Sequence, residues 1–164
     1  MGQWYPTKLL AYFNGAVGVL AEGISGKAGE GATAVVVTPG PTSHDEDMGD
    51  VLAYGVPIRY RKNAALRTSQ KAGLPIRVLR SSRKSGRRAI YDSYAPTVGI
   101  RYDGLYTITT AALMFRDEEK YIRYVLMRLE DQPSLDEIVA ARPTAEEKEQ
   151  HREYTRIFER VSKA

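Results

Sequence analysis

The run ATAVVVT at residues 32–38 constrains the fold most. β-Branched side chains dominate it, and these fit a pleated strand better than a helix. It is expected to be a buried strand, and a buried strand needs partners. Residues 51–54, 76–80, 102–111 and 121–129 read as further strands, the last two separated by a charged turn at 116–120. The apolar and aromatic run at 8–13 also reads as a strand. Residues 15–31 are glycine-rich and read as loops around short extended pieces. Residues 39–50 read as an acidic, turn-rich loop and residues 81–88 as a basic, serine-rich one. Residues 62–72 have helical composition and stop at Gly73. Many short strands with few helices predict an α+β domain built round a curved, antiparallel or mixed sheet or barrel.

The last segment has a different pattern. Thr144 and Glu147 make a capping box after Pro143. Tyr154, Ile157, Phe158 and Val161 then recur at helical spacing. The segment is predicted to form a helix of about four to five turns, solvated in its first half and docked in its second. A chain of 164 residues has the length of one domain and can bury a core without staples. The organisation expected is one domain at 1–135, followed by a linker and amphipathic helix at 136–164.

The sequence has no cysteine, which excludes disulfides and thiolate metal sites. No run of 18 apolar residues is present, and the first thirteen residues lack a signal-peptide pattern. A soluble, intracellular chain is expected, with no membrane partner. The net charge of +4 is modest, but its distribution is not. Between Val51 and Tyr91 there are eleven lysines and arginines and no acidic residue. The acids gather at 45–50 and after Asp117. A one-signed block inside a folded domain is the footprint of a nucleic-acid binder, although a solvated basic face with no partner has the same composition.

Several chemistries lack their residues. His44 and His151 are the only histidines, and neither has a triad or metal spacing around it. The stretch Gly23–Lys27 fails the phosphate-loop pattern twice, with Ala21 in place of the first glycine and Ala28 in place of Ser or Thr. Asp45, Glu46, Asp47 and Asp50 are close enough for a cation but lack the calcium-loop spacing. No catalytic constellation is visible, and no cofactor, metal or small-molecule substrate is expected.

Four motifs arrive in order: Gly23-Ile24-Ser25-Gly26 with Gly31-Ala32; Asp45-Glu46-Asp47-Met48-Gly49-Asp50 leading to Tyr54; Asn63-Ala64-Ala65-Leu66 with Pro75-Ile76-Arg77-Val78-Leu79-Arg80; and Tyr94-Ala95-Pro96 with Gly99-Ile100-Arg101-Tyr102-Asp103-Gly104-Leu105-Tyr106. In this order and spacing they resemble the SRA (SET and RING finger associated), or YDG, domain family, over about residues 18–135. The resemblance implies a PUA-like curved β-barrel that extrudes 5-methylcytosine from duplex DNA and holds it between aromatic rings.

It also implies roles. Asp45 would read the cytosine edge, Tyr54 would stack on the base, and the backbone around Gly40 and Gly55 would line the pocket with Pro41 and Thr42. Ala21 falls where the family places the side chain that fills the vacated space in the duplex. Arg59, Arg61, Lys62, Arg80, Arg83, Lys84, Arg87 and Arg88 are the candidates for DNA phosphates, contacts that position a protein without reading sequence. Arg101 is expected to pair with Asp103, and Gly104 to permit a bend or bulge. The partners implied are double-stranded DNA with methylated CpG or another modified cytosine, and chromatin proteins. The compartment implied is the nucleus in a eukaryote and the cytoplasm otherwise.

The residue types suit this chemistry. A carboxylate accepts well from the cytosine N4 amino group. Aromatic stacking is worth about 1–3 kcal/mol per base and offsets the similar cost of flipping. One methyl group adds only about 0.8 kcal/mol. Taken singly, Asp45 also matches a solvated turn acid, Tyr54 a core tyrosine and the glycines loop punctuation.

Two departures stand out. Thr42 occupies the place of the first pocket aromatic, which leaves Pro41 or His44 to cover that face of the base. Only residues 55–62 join Tyr54 to Asn63, where vertebrate members carry a loop that probes the major groove, so weak discrimination of hemimethylated from fully methylated sites is expected. These departures also motivate a second reading, an SRA-type fold that binds RNA, unmodified DNA or a protein without base flipping. A reaction on DNA would need a segment outside this chain.

Overall fold

The β-branched run forms the strand expected of it, β3 (Gly31–Val37), in which only Thr33 is exposed. Its side chains alternate between two cores, Val35 and Val37 entering one and Ala34 and Val36 the other. This is a computed structural model, and it describes residues 1–38, 40, 44–82, 94–116 and 118–161. The other strands are β1 (Trp4–Tyr5), β2 (Ile24–Lys27), β4 (Glu46–Asp47), β5 (Val51–Pro57), β6 (Ile76–Ser81), β7 (Ile100–Arg116) and β8 (Glu119–Arg128). The helices are α1 (Lys8–Phe13), α2 (Asn63–Ala72), α3 (Leu135–Ala141) and α4 (Ala145–Val161).

The strand order is β2-β3-β6-β7-β8-β5-β4, with β1 added on β7. The β3–β6 pair is parallel. The other pairs, from β1–β7 to β7–β8, are antiparallel. The mixed α+β class is therefore as expected, but the sheet is open where a barrel was expected. Its edge strands explain this. β4 has two residues, and β2 has four with a register shift between Ser25 and Gly26. Neither offers a ladder long enough to close the sheet.

Residues 8–13 form a helix rather than the expected strand. The Thr7 hydroxyl caps it by accepting from the Leu10 amide at 3.3 Å. The helix buries Ala11 and leaves Leu9, Tyr12 and Phe13 exposed, so its apolar composition is not a strand signal. α2 ends as predicted, with Gly73 in the left-handed region at φ 62°. Opposite Gly104 (φ 130°) the β6–β7 register shifts between Val78 and Leu79, the bulge expected there.

α3 straddles the expected boundary at 135/136. Its Leu135 and Ile138 are buried, Ile138 lies against Gly2, and the Arg142 carbonyl accepts from Arg101 Nη1 at 3.2 Å. α4 starts on the predicted capping box, with Thr144 N donating to Glu147 Oε2 at 2.8 Å and Glu147 N to Thr144 Oγ1 at 3.2 Å. Where docking of its second half was expected, Tyr154, Ile157 and Phe158 are all exposed, Ile157 by 58% and Phe158 by 57%.

Candidate nucleic-acid interface

The antiparallel β4–β5 register pairs Glu46 with Ala53 and Asp47 with Leu52. One step further along the same register, Asp45 falls opposite Tyr54. Period-2 alternation then puts both on one face of the sheet. The Gly55 amide donates to Asp45 Oδ1 at 2.8 Å and fixes the carboxylate beside this strand. Tyr54 is 8% exposed. Its hydroxyl is 3.0 Å from where a β-carbon on Gly23 would sit, so any larger residue at 23 meets the phenol. Burial, then the charge of Asp45, push the Tyr54 phenol well above the ordinary tyrosine range, and it remains a neutral donor. An ionised carboxylate has about four lone-pair directions. The bond from Gly55 is therefore compatible with a second donor such as an exocyclic amine.

Gly55 is constrained, but by protein rather than ligand. A β-carbon there would lie 2.3 Å from His44 Cβ and 2.9 Å from the His44 carbonyl oxygen. The His44 ring packs on Tyr121 at a centroid distance of 4.1 Å, and Tyr121 pairs with Pro57. Pro57 and Gly55 share the face opposite Tyr54, so His44 does not cover that tyrosine. Gly40 is exposed, with nothing within 4 Å of its ideal β-carbon. Pro41 and Thr42 lie outside the described residues. Ala21 is exposed. Two cavities, of about 430 and 480 Å³, are lined by other residues, the first by Met48, Tyr94 and Arg128 and the second by Trp4, Ile138 and Arg142.

The basic candidates divide. Arg59 is exposed. Arg61 and Lys62 both turn to Glu22, next to Ala21: Arg61 Nε donates to Glu22 Oε1 at 3.0 Å, and Lys62 Nζ lies 3.3 Å from Glu22 Oε2. The Arg61 hydrogen bond, followed by the Lys62 contact, holds the Glu22 carboxyl below the usual carboxylate range. Arg83, Lys84, Arg87 and Arg88 lie outside the described residues.

Arg80 is not a phosphate candidate. Its side chain is 1% exposed. Nε and Nη2 each donate to the Asp47 carboxylate at 2.7 Å, Nη2 to the Gly49 carbonyl at 2.8 Å, and Nη1 to Asp103 Oδ2 at 3.0 Å. Burial acts to lower its pKa, but the Asp47 and Asp103 carboxylates outweigh that and hold the group charged. The expected Arg101–Asp103 pair is present, with Nη2 to Oδ2 at 2.9 Å. Sequence reasoning missed the Arg80–Asp47 bond, the Glu22 clip and the contact of Gly23 with Tyr54. Strand parity carried a signal for the first: Arg80 shares its face with Ile76 and Val78, both fully buried.

The SAD/SRA domain family matches residues 1–132. Among curated relatives, the E3 ubiquitin-protein ligase ORTHRUS-LIKE 1 of Arabidopsis thaliana is 35% identical over 124 residues, covering 68% of this chain and 25% of that protein. A UHRF1-like protein of Cryptococcus neoformans is 29% identical over 162 residues, covering 82% of this chain and 45% of that one. The chain thus spans less than half of either. Among solved structures, the modification-dependent TagI restriction endonuclease has a TM-score of 0.63 at 28% identity, over 82% of this chain and 51% of that one. The SRA domain of SUVH5, solved with hemimethylated CG DNA, has a TM-score of 0.65 at 20% identity, over 82% of this chain and 91% of that one, a likeness of fold.

Proposed function

Because the chain belongs to the SAD/SRA domain family, we propose that it is a DNA-binding module for modified cytosine, 5-methylcytosine first among them, acting by base flipping. The observation that carries this reading is the Asp45 carboxylate held by the amide of Gly55, next to Tyr54, just beyond the β4–β5 ladder. The flipped base would stack on Tyr54 and donate a hydrogen bond from its N4 amino group to Asp45. Gly40, Pro41, Thr42 and Gly55 would complete the wall, and Ala21 would enter the gap left in the duplex. Phosphates would be held by Arg59, Arg83, Lys84, Arg87 and Arg88. Arg61 and Lys62 would join them on leaving Glu22.

Two relatives support the reading by description, an endonuclease called modification-dependent and an SRA domain solved with hemimethylated DNA. The short link at 55–62 favours weak discrimination between hemimethylated and fully methylated sites. We assign this chain binding rather than catalysis. Relatives named as ubiquitin ligases are far longer than the matched region. In a eukaryote the compartment that fits is the nucleus, with chromatin proteins as neighbours.

Titration of matched duplexes with cytosine, one 5-methylcytosine, or 5-methylcytosine on both strands tests the proposal at two salt concentrations. The expected result is tighter binding to both modified duplexes, lost in Asp45→Ala and Tyr54→Ala. Equal affinity for all three duplexes would refute base reading and favour a module that binds RNA or unmodified DNA. Cleavage of modified DNA by the purified chain would refute the non-catalytic assignment.

A further inference from the structure

We propose that Arg80 is a positioning residue for the Asp45 carboxylate, an inference that rests on the base-reading role proposed above. Beyond the β4–β5 ladder and the bond from Arg123 to Glu46 at 2.6 Å, side-chain contacts hold the acidic turn on both sides of Glu46. Asp45 is held by the Gly55 amide, 2.8 Å away. Two and four residues later, Asp47 and Gly49 are both gripped by Arg80, through the carboxylate at 2.7 Å and the carbonyl at 2.8 Å. Tyr106 Oη adds a bond to the same Gly49 carbonyl at 2.9 Å.

Arg80 is itself aimed. Asp103, fully buried, receives Arg80 Nη1 at 3.0 Å and is held in turn by Arg101. The Arg80 guanidinium also stands 5.5 Å from the centre of the Tyr94 ring. A chain of bonds therefore runs from the Tyr-Asp-Gly signature on β7, through β6, to the turn that begins at Asp45. Its members lie on three separate segments of the sequence. Gly49 sits at φ 80°, and a β-carbon there would meet the Tyr94 ring at 2.5 Å. The turn thus has little room to settle elsewhere while Tyr94 stays in place.

The fixed carboxylate is what base reading needs. Asp45 has to meet an amino group whose position is set by the stacked base, and a hydrogen bond weakens steeply once its partners leave the usual distance and angle. Arg80 lies on the same side of the sheet as Tyr54, but its hydrogen bonds among the described residues go to Asp47, Gly49, Asp103 and Tyr106, so it would reach the base through Asp47, the turn and Asp45.

The test uses the full chain with Arg80→Lys, Asp47→Asn and Tyr106→Phe. Asp45→Ala serves as reference, and urea unfolding selects folded variants. Tyr106→Phe is the mildest change, removing one hydroxyl, and keeps the test open if the charge variants unfold. The first readout is the Gly55 amide resonance in the free protein, which reports the bond to Asp45 without DNA. The second is the ratio of affinities for a duplex with one 5-methylcytosine and its unmodified match, with the salt slope of each.

Folded variants are expected to move the Gly55 resonance toward its position in Asp45→Ala. They should lower the affinity ratio by threefold or more while keeping the salt slope, because no phosphate contact is lost. A Gly55 resonance and an affinity ratio unchanged in every folded variant would overturn the proposal. If Asp45→Ala leaves the ratio unchanged, base reading itself has failed, and the Gly55 resonance alone decides whether Arg80 positions the carboxylate.

Discussion

Asp103→Asn removes one negative charge from a cluster of two arginines and two aspartates, in which Arg80, Arg101 and Asp103 are each 0 or 1% exposed. The asparagine fits the space, and its one oxygen can still accept from Arg101. Its amide group then takes the place of Oδ2. That oxygen receives Arg80 Nη1 at 3.0 Å and Arg101 Nη2 at 2.9 Å, so donors would face donors. Removing one partner of a buried ion pair costs about 3–5 kcal/mol, because the remaining charge stays desolvated. Set against a typical domain stability of about 5–15 kcal/mol, this is a large fraction. For a chain of this size about 2–4 °C is lost per kcal/mol, which gives a fall in Tm of about 6–20 °C. Trp4 is a suitable fluorescent reporter, since it is buried and its Nε1 donates to the Val98 carbonyl at 2.7 Å. Urea unfolding of Asp103→Asn, with the exposed-site variant Glu130→Gln as control, checks the figure. A loss below about 1 kcal/mol would refute the reasoning, since it would mean that the cluster is effectively solvated.

Three further outcomes follow from other parts of the molecule. Glu22→Gln should release Arg61, while Lys62 keeps its bond to the Gly26 carbonyl at 2.8 Å, and should tighten binding to unmodified duplex and steepen its dependence on log salt by about 1 for the added phosphate contact; an unchanged slope would show that Arg61 does not reach DNA. The Glu22 carboxyl is depressed below its reference of 4.5, so whatever the clip adds to stability should be complete above that pH and fade only as pH falls further; a stability difference between wild type and Glu22→Gln that grows as pH falls below that reference would contradict this sign. Ile157→Ser should leave urea stability within about 0.5 kcal/mol, as this side chain is exposed on α4; a loss of about 2 kcal/mol would mean that the helix docks there.

How much of this could be read in the sequence varies with the distance over which each decision is made. β3, the stop of α2 at Gly73, the bulge at Gly104 and the capping box of α4 were legible because each depends on a few adjacent residues. α1 was misread because Thr7, one residue outside the apolar run, decides between helix and strand. Asp45 and Tyr54 came from the family motif, and continuing the β4–β5 register by one step sets them opposite each other. Arg80 and Glu22 went wrong or unseen for a common reason. Charge counts treat every arginine as a surface group, whereas partners 33 and 39 residues away have claimed these, Asp47 for Arg80 and Glu22 for Arg61.

The parallel pairing of β3 with β6 bears on how the protein folds. A parallel pair cannot be joined by a hairpin and requires a crossover. Here the crossover runs from 38 to 75 and contains β4, β5 and α2. Asp45 and Tyr54 therefore lie inside a loop that closes only when β6 joins the sheet, and Arg80 lies on the strand that closes it. Closure of such a loop costs chain entropy before any contact rewards it, which makes it a slow step. A nascent chain ending before Ile76 has Asp45 and Tyr54 but not the arginine that grips their turn. Cotranslational assembly of the site thus waits for β6, however early its own residues leave the ribosome.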